Sequence, residues 1–291
     1  MSDLYQVHTQ PVLDAPVLVM AMEGWVDAGL GAANAVASLT EQQPASDLVT
    51  FDADHFLDMR ARRPIVRIVD GVTTELQWPR TQLRHGRDKA GADVLYLVGS
   101  EPDYHWHDFI GAVVQLAMRY GVRMAVGLGA FPAPAPHTRP VRLAATAPPS
   151  SAELLAHVGV VQGGLEVPAG VVSALELGLG GEAVPTVSLW ARVPHYVSAM
   201  PFPLASAALV DGLAAISGLV LDSAALRAAG DRARSQVDEL IADNAEHRSM
   251  LRKLEEAIDS SEGNALGLDA VPSADELAAE LERFLRGEER P

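Results

Sequence analysis

Short apolar runs alternate with helically spaced stretches over the first 220 residues of the chain. VLVMAM (17–22), LVTF (48–51), VLYLVG (94–99), MAVGL (124–128), VRLAAT (141–146) and TVSLW (186–190) read as strands. Their near-continuous apolar character is that of strands buried on both faces. Helical spacing predicts helices over 28–39, 105–121, about 151–157, 169–178 and 204–219. In the second of these, Trp106, Phe109, Ile110, Val113 and Ala117 form one stripe, with Asp103 as the expected N-cap and Gly121 as the stop. Asp70-Gly71 lies between β-branched runs within 65–78 and predicts a two-residue hairpin. The alternation as a whole predicts an α/β fold with a mostly parallel sheet covered on both faces by helices.

From Asp222 the texture changes. Leu226, Gly230, Ala233, Val237, Leu240, Asn244, His247, Leu251, Leu254 and Ile258 recur at spacings of four and three, a seam over about five heptads that predicts one long amphipathic helix. SSEGNALG (260–267) reads as a flexible joint, and 271–287 as a short helix capped by Ser273. Residues 231–291 hold 16 acidic and 8 basic side chains, a net of −8 out of the −16 of the whole chain. That shift separates an α/β domain, 1–221, from an acidic helical appendage, 222–291.

The overall charge of −16 leaves no basic footprint for nucleic acid. No run reaches the roughly 18 apolar residues needed to cross a bilayer, and the N-terminus has no basic or apolar leader character. With no cysteine there are no disulfides, thiol nucleophiles or cysteine-ligated metals. A cytoplasmic protein is the expectation. Lysine occurs only at 89 and 253, so a phosphate loop with its lysine is excluded.

Three stretches hold candidate chemistry. Gly29-x-Gly31 opens a helix after a strand, as a dinucleotide turn would, but six residues intervene and Asn34 takes the third small position. The alternative is a strand-to-helix loop in which Asp27 caps the helix. His105-x-His107 lies beside carboxylates, yet i, i+2 side chains on a helix diverge. No metal and no cofactor are therefore expected. The Pro-His loops, AFPAPAPHTRPV (130–141) and Pro194-His195, follow strands at the end where α/β folds place ligands. They could pair a histidine with a carboxylate for acid–base work. The competing reading makes them rigid loops whose histidines bond nearby groups. Arg60, Arg62, Arg63 and Arg67, among Asp54, His55 and Asp58, offer a clamp for an acidic ligand or a solvated surface.

Taken together, PVLVMAMEGWVDAG (16–29), HFLDMRARRP (55–64), VGSEPDYHWHDF (98–109), GLGAFPAPAPHTRPV (127–141) and SLWARVPHY (188–196) resemble the bacterial branch of the PAC2 family, named for a proteasome assembly chaperone. The resemblance covers about 15–220 and implies a three-layer α/β/α domain of the phosphorylase/hydrolase-like type, self-association, and a role in assembling proteasome α-subunits. Eukaryotic members can dock through a hydrophobic-Tyr-X C-terminus. This chain reads GEERP there, so that docking mode is not expected.

The expected function is thus a non-enzymatic protein-binding assembly factor, self-associating, with protein partners that include proteasome α-subunits. Its recognition rim would comprise Glu23, Trp25, Asp27, Glu101, Asp103, Trp106, His137, Arg139, His195 and Tyr196, with Tyr104 as a further aromatic anchor. The alternative is a small-molecule-binding protein or enzyme that uses a nucleoside-phosphorylase-like cleft for a nucleoside or a carboxylate ligand.

Overall fold

The computed structural model describes residues 4–24, 26–160, 163–242 and 244–261, the side chains of His157 and Ser261 excepted. Trp25 and the expected helix at 271–287 lie outside the described residues, as does most of the expected joint. In chain order the elements are β1 (Tyr5–Val7), β2 (Val17–Glu23), α1 (Gly31–Gln42), β3 (Ser46–Phe51), α2 (Ala53–Phe56), β4 (Ile65–Val69), β5 (Val72–Gln77), β6 (Thr81–Arg87) and β7 (Asp93–Ser100). There follow α3 (Trp106–Arg119), β8 (Met124–Ala133), β9 (Leu143–Thr146), α4 (Val171–Gly181), β10 (Thr186–Pro194), α5 (Pro203–Ser217), α6 (Ala224–Ala242) and α7 (Ala245–Ser261).

Eight strands form one sheet in the order β1-β3-β6-β7-β2-β8-β10-β9. The centre, β7-β2-β8-β10, is parallel, while both margins are antiparallel. Alternation along β2 shows how the layers form, since successive strand residues face opposite ways. Val17, Val19 and Ala21 enter a core built with α1, α5 and α6; Leu18 and Met20 enter a second core built with α3 and α4. The result is a three-layer α/β/α domain with a helical C-terminal extension. No helix among the described residues is long and apolar enough to cross a membrane.

Two strands escape the apolar pattern, β1 and β6. Residues 81–87 read TQLRHGR, and the polar side chains are satisfied across the sheet. Asp47 accepts from Gln82 Nε2 at 2.7 Å and Arg84 Nε at 3.0 Å, while His85 Nε2 lies 2.8 Å from Asp93 Oδ1. Cross-strand pairs of this kind hold an antiparallel margin without an apolar run.

The expected long helix after Asp222 is two helices. Asn244, which its spacing places on the seam, instead starts α7: its Oδ1 accepts the N–H groups of Glu246 (2.8 Å) and His247 (3.2 Å). The buried residues of α6 are Leu226, Gly230, Val237 and Ile241, and the helix packs on α5 within the α/β core. Leu240, placed on the seam by its spacing, is 67% exposed.

Glu176 on α4 is buried, where Thr146 Oγ1 donates to its Oε2 at 2.9 Å. Burial raises its pKa, and the Ser188 and Thr146 hydroxyls only partly offset that. A folded-state pKa above the unfolded value stabilises the fold fully below the ordinary carboxylate range. That contribution is lost as pH rises through the folded value. Glu176→Gln is therefore expected to melt above the wild type at pH 8, with the gap closing toward pH 4. Thermal melts at the two pH values check this, and a gap that widens on acidification would refute it.

Candidate functional site

Because β7, β2, β8 and β10 are parallel, the loops that follow them emerge at one end of the sheet. β3 runs with β7, since both are antiparallel to β6, so α2 emerges at that end too. Every sequence-derived rim residue among the described residues lies in these loops, at a strand end or at the start of α3.

Most of them are engaged by their own chain. Glu23 is exposed, and its carbonyl accepts the Glu101 N–H at 2.7 Å. Asp27 accepts the N–H groups of Ala32 (2.8 Å) and Ala33 (3.0 Å) at the start of α1. Burial raises its pKa, against the pull of those N–H groups. Glu101 Oε2 accepts the first N–H of α4, from Val171, at 3.0 Å. Asp103 does not cap α3. Its Oδ2 accepts from Asp58 N (2.8 Å) and Arg62 Nε (3.0 Å), while His105 precedes α3 in a left-handed conformation with no side-chain cap. The Trp106 indole N–H donates to Pro102 O at 2.7 Å. Tyr104 is exposed, and its hydroxyl donates to Asp58 Oδ2 at 3.1 Å.

The first Pro-His loop is clasped by the C-terminal helices. His137 is 1% exposed. Its Nδ1 lies 2.7 Å from the Tyr196 hydroxyl, which also accepts the His137 backbone N–H at 2.9 Å. Its Nε2 lies 3.0 Å from Asp238 Oδ1 of α6. A neutral ring with its proton on Nε2 satisfies every group: Tyr196 donates to Nδ1, and Nε2–H donates to Asp238. Burial raises the Tyr196 pKa to about 12, so the phenol keeps the proton this network needs. Neither ring nitrogen is left open for a substrate.

Next to it, Arg139 forms a fork with both carboxylate oxygens of Asp259 (2.9 and 2.7 Å) and reaches Glu255 at 3.0 Å, both on α7. Thr138 Oγ1 also donates to Glu255 at 2.5 Å. Asp238, Glu255 and Asp259 are the partners that local reading missed; their only signal was the acid excess after residue 231. His195, in the second Pro-His loop, is exposed, and its ring meets the Tyr196 ring edge-on at 5.3 Å. A cavity in the hydrophobic interior, lined by Leu18, Phe51, Leu95 and Val113 among others, is apolar and lies away from these loops.

A PAC2 family model matches residues 21–241. The chain is 35% identical to a Mycobacterium tuberculosis proteasome-assembly chaperone homologue, with 82% of this chain and 99% of that one covered at a TM-score of 0.75. It is 32% identical to a PAC2 family protein from Streptomyces avermitilis, with 81% and 99% covered at a TM-score of 0.71. Pyrococcus furiosus PbaB, an archaeal proteasome activator, shares the fold at 18% identity and a TM-score of 0.61, with 81% and 97% covered. No curated protein matches the chain. The family match runs from the end of β2 through the clasped loops and nearly all of α6, and the chain belongs to the PAC2 family.

Proposed function

We propose that the protein is a non-enzymatic, self-associating assembly factor of the cytoplasm that binds protein partners, proteasome α-subunits among them. The observation that carries this reading is the β4–β5 hairpin. Its turn, Asp70-Gly71, has positive φ at both positions (49° and 80°), as a tight two-residue hairpin requires. Consecutive strand residues face opposite ways, so the pairs Ile65-Val66 and Ile68-Val69 make the ribbon apolar on both faces. That is the pattern of a strand covered on both sides, yet Ile65 is 68% exposed, Ile68 60%, Val72 62% and Trp78 50%. An isolated two-stranded ribbon is marginal in water, and contiguous exposed apolar surface marks protein contact.

Resemblance to a proteasome-assembly chaperone homologue supports the partner class. The rim, on this reading, adds a second contact surface through the side chains least used internally, Glu23, Tyr104 and His195, with Trp25 two residues from Glu23 in sequence. Asp27, Glu101, Asp103 and Trp106 brace its loops, and His137, Arg139 and Tyr196 hold its C-terminal helices.

Val66 and Leu76 are paired in register and share one face of the ribbon. The tagged protein, purified from its own cells, is expected to bring 20S α-subunits with it, identified by mass spectrometry. Val66→Asp/Leu76→Asp is expected to lose at least about nine-tenths of that recovery or to lower the native mass. Recovery of the protein alone would overturn the partner assignment. Unchanged recovery and unchanged native mass in the variant would overturn the role of the hairpin.

A further inference from the structure

We propose that His55, His105 and Asp108 form a binding site for one divalent transition-metal ion of the zinc class, with coordination positions left open. This goes beyond the assembly reading and does not depend on it. His55 comes from α2, His105 immediately precedes α3 and Asp108 lies in its first turn, so the site joins segments about 50 residues apart in the chain. One ligand atom from each of the three lies within 4.8 Å of the others. His55 Nε2 is 3.3 Å from Asp108 Oδ2, and His105 Nδ1 is 3.8 Å from the same oxygen.

These spacings suit a metal. Zinc binds imidazole and carboxylate at about 2.0–2.2 Å, so two ligand atoms on a tetrahedral ion stand roughly 3.4 Å apart. The His55–Asp108 edge already has that length, and the edges to His105, 3.8 Å to Asp108 and within 4.8 Å to His55, close when the exposed His105 ring turns out of its stack on His55. Two imidazoles and one carboxylate are also the donor set that zinc, cobalt and nickel favour over calcium or magnesium. Three protein ligands leave room for water, or for a side chain of a bound partner.

The three side chains already meet one another. The two imidazole rings stack, with centroids 4.2 Å apart and planes 18° apart. A cation bound by all three side chains would take one lone pair from each ring and one from the carboxylate.

The backbone holds the ligands in place. His55 precedes Phe56, which is buried at 1% exposure, and Asp108 precedes Phe109, which is fully buried. Those two rings meet edge-on at 5.4 Å. The Phe56 carbonyl accepts the N–H groups of Asp103 (2.8 Å) and Tyr104 (3.2 Å), tying the loop that carries His105 to α2. His105 itself has φ of 56°, an uncommon conformation for a residue with a side chain and one concentrated at functional sites.

The test uses the untagged full chain, stripped with EDTA and titrated with Co2+ and with Zn2+ in competition with a chromophoric chelator. One ion per chain is expected, with Co2+ giving the visible absorption of a low-coordinate site. His55→Ala and Asp108→Asn are each expected to weaken Zn2+ binding at least about tenfold. His107→Ala, two residues from His105 but outside the cluster, should bind as the wild type does. Circular dichroism of each variant separates loss of the site from loss of the fold. The proposal fails if the wild type binds no stoichiometric ion. It also fails if a folded His55→Ala variant binds as tightly as the wild type, or if His107→Ala loses as much as His55→Ala.

Discussion

Gly99→Ala is expected to lower folding stability by about 3–5 kcal/mol. Gly99 lies near the end of β7 with φ of 106°, which side-chain-bearing residues rarely adopt, and an added Cβ would stand 2.0 Å from the Arg80 carbonyl oxygen. Relief by a backbone shift is blocked on two sides, because Gly99 is in register with Thr81 of β6 and Met22 of β2. Moving it would also disturb Glu101 and Asp103, which hold the starts of α4 and of the 58–62 segment. A urea titration measures the loss as a lower midpoint at unchanged slope. Gly121→Ala is the control: its φ is 64°, but nothing lies within 4 Å of the added carbon. It should cost only about 1 kcal/mol. Equal losses in the two variants would mean that the close approach at Gly99 is not what matters.

His137→Ala is expected to cost about 2–4 kcal/mol and to loosen α6 from the loop after β8. The substitution removes a fully buried ring, so a cavity forms. It also strips Tyr196 of its acceptor and Asp238 of its donor. The destabilisation should be local as well as global. Amide exchange over 224–242 should quicken more than exchange in the central strands, which answer only to global unfolding. Arg139→Ala tests the neighbouring contact and should quicken exchange in α7 with a smaller global loss, since its ion pairs are more open to solvent. Unchanged exchange in α6 after His137→Ala would show that the helix is held by its apolar face alone.

Legibility in the sequence followed burial. β2, β7, β8 and β10 are covered by helices on both faces, and so each appears as an apolar run. β6 was not legible because its polar side chains find partners on neighbouring strands, which no local pattern records. The hairpin was legible from Asp70-Gly71, but its exposure was not, because an apolar strand looks the same whether its cover comes from its own chain or another. The break in the tail was not legible because one residue type serves two ends: Asn244 fits a seam position by its spacing, while in the fold it starts a helix.

The candidate site was legible as an address and not as a set of contacts. The Pro-His loops and the carboxylates lie at the sheet end that the strand order predicts. What each side chain does there depends on residues far along the chain. Asp238 is 101 residues from His137, and Asp259 is 120 from Arg139. Likewise His105 does not converge with His107, its neighbour in the tempting motif, but stacks on His55.

The two margins of the large sheet are short, three residues in β1 and four in β9. They offer little free backbone for another chain to pair with, which is how β proteins avoid sticking edge to edge. β4 and β5, by contrast, each have only the other as a ladder partner among the described residues. Their outer N–H and C=O groups face away from the pair. A partner that adds a strand to this protein therefore finds its longest template on the hairpin, where the ribbon would grow by β-augmentation and its direction would be set by backbone polarity. Main-chain pairing of that kind tolerates many partner sequences, so selectivity would fall to the apolar side chains that alternate on either side of the ribbon.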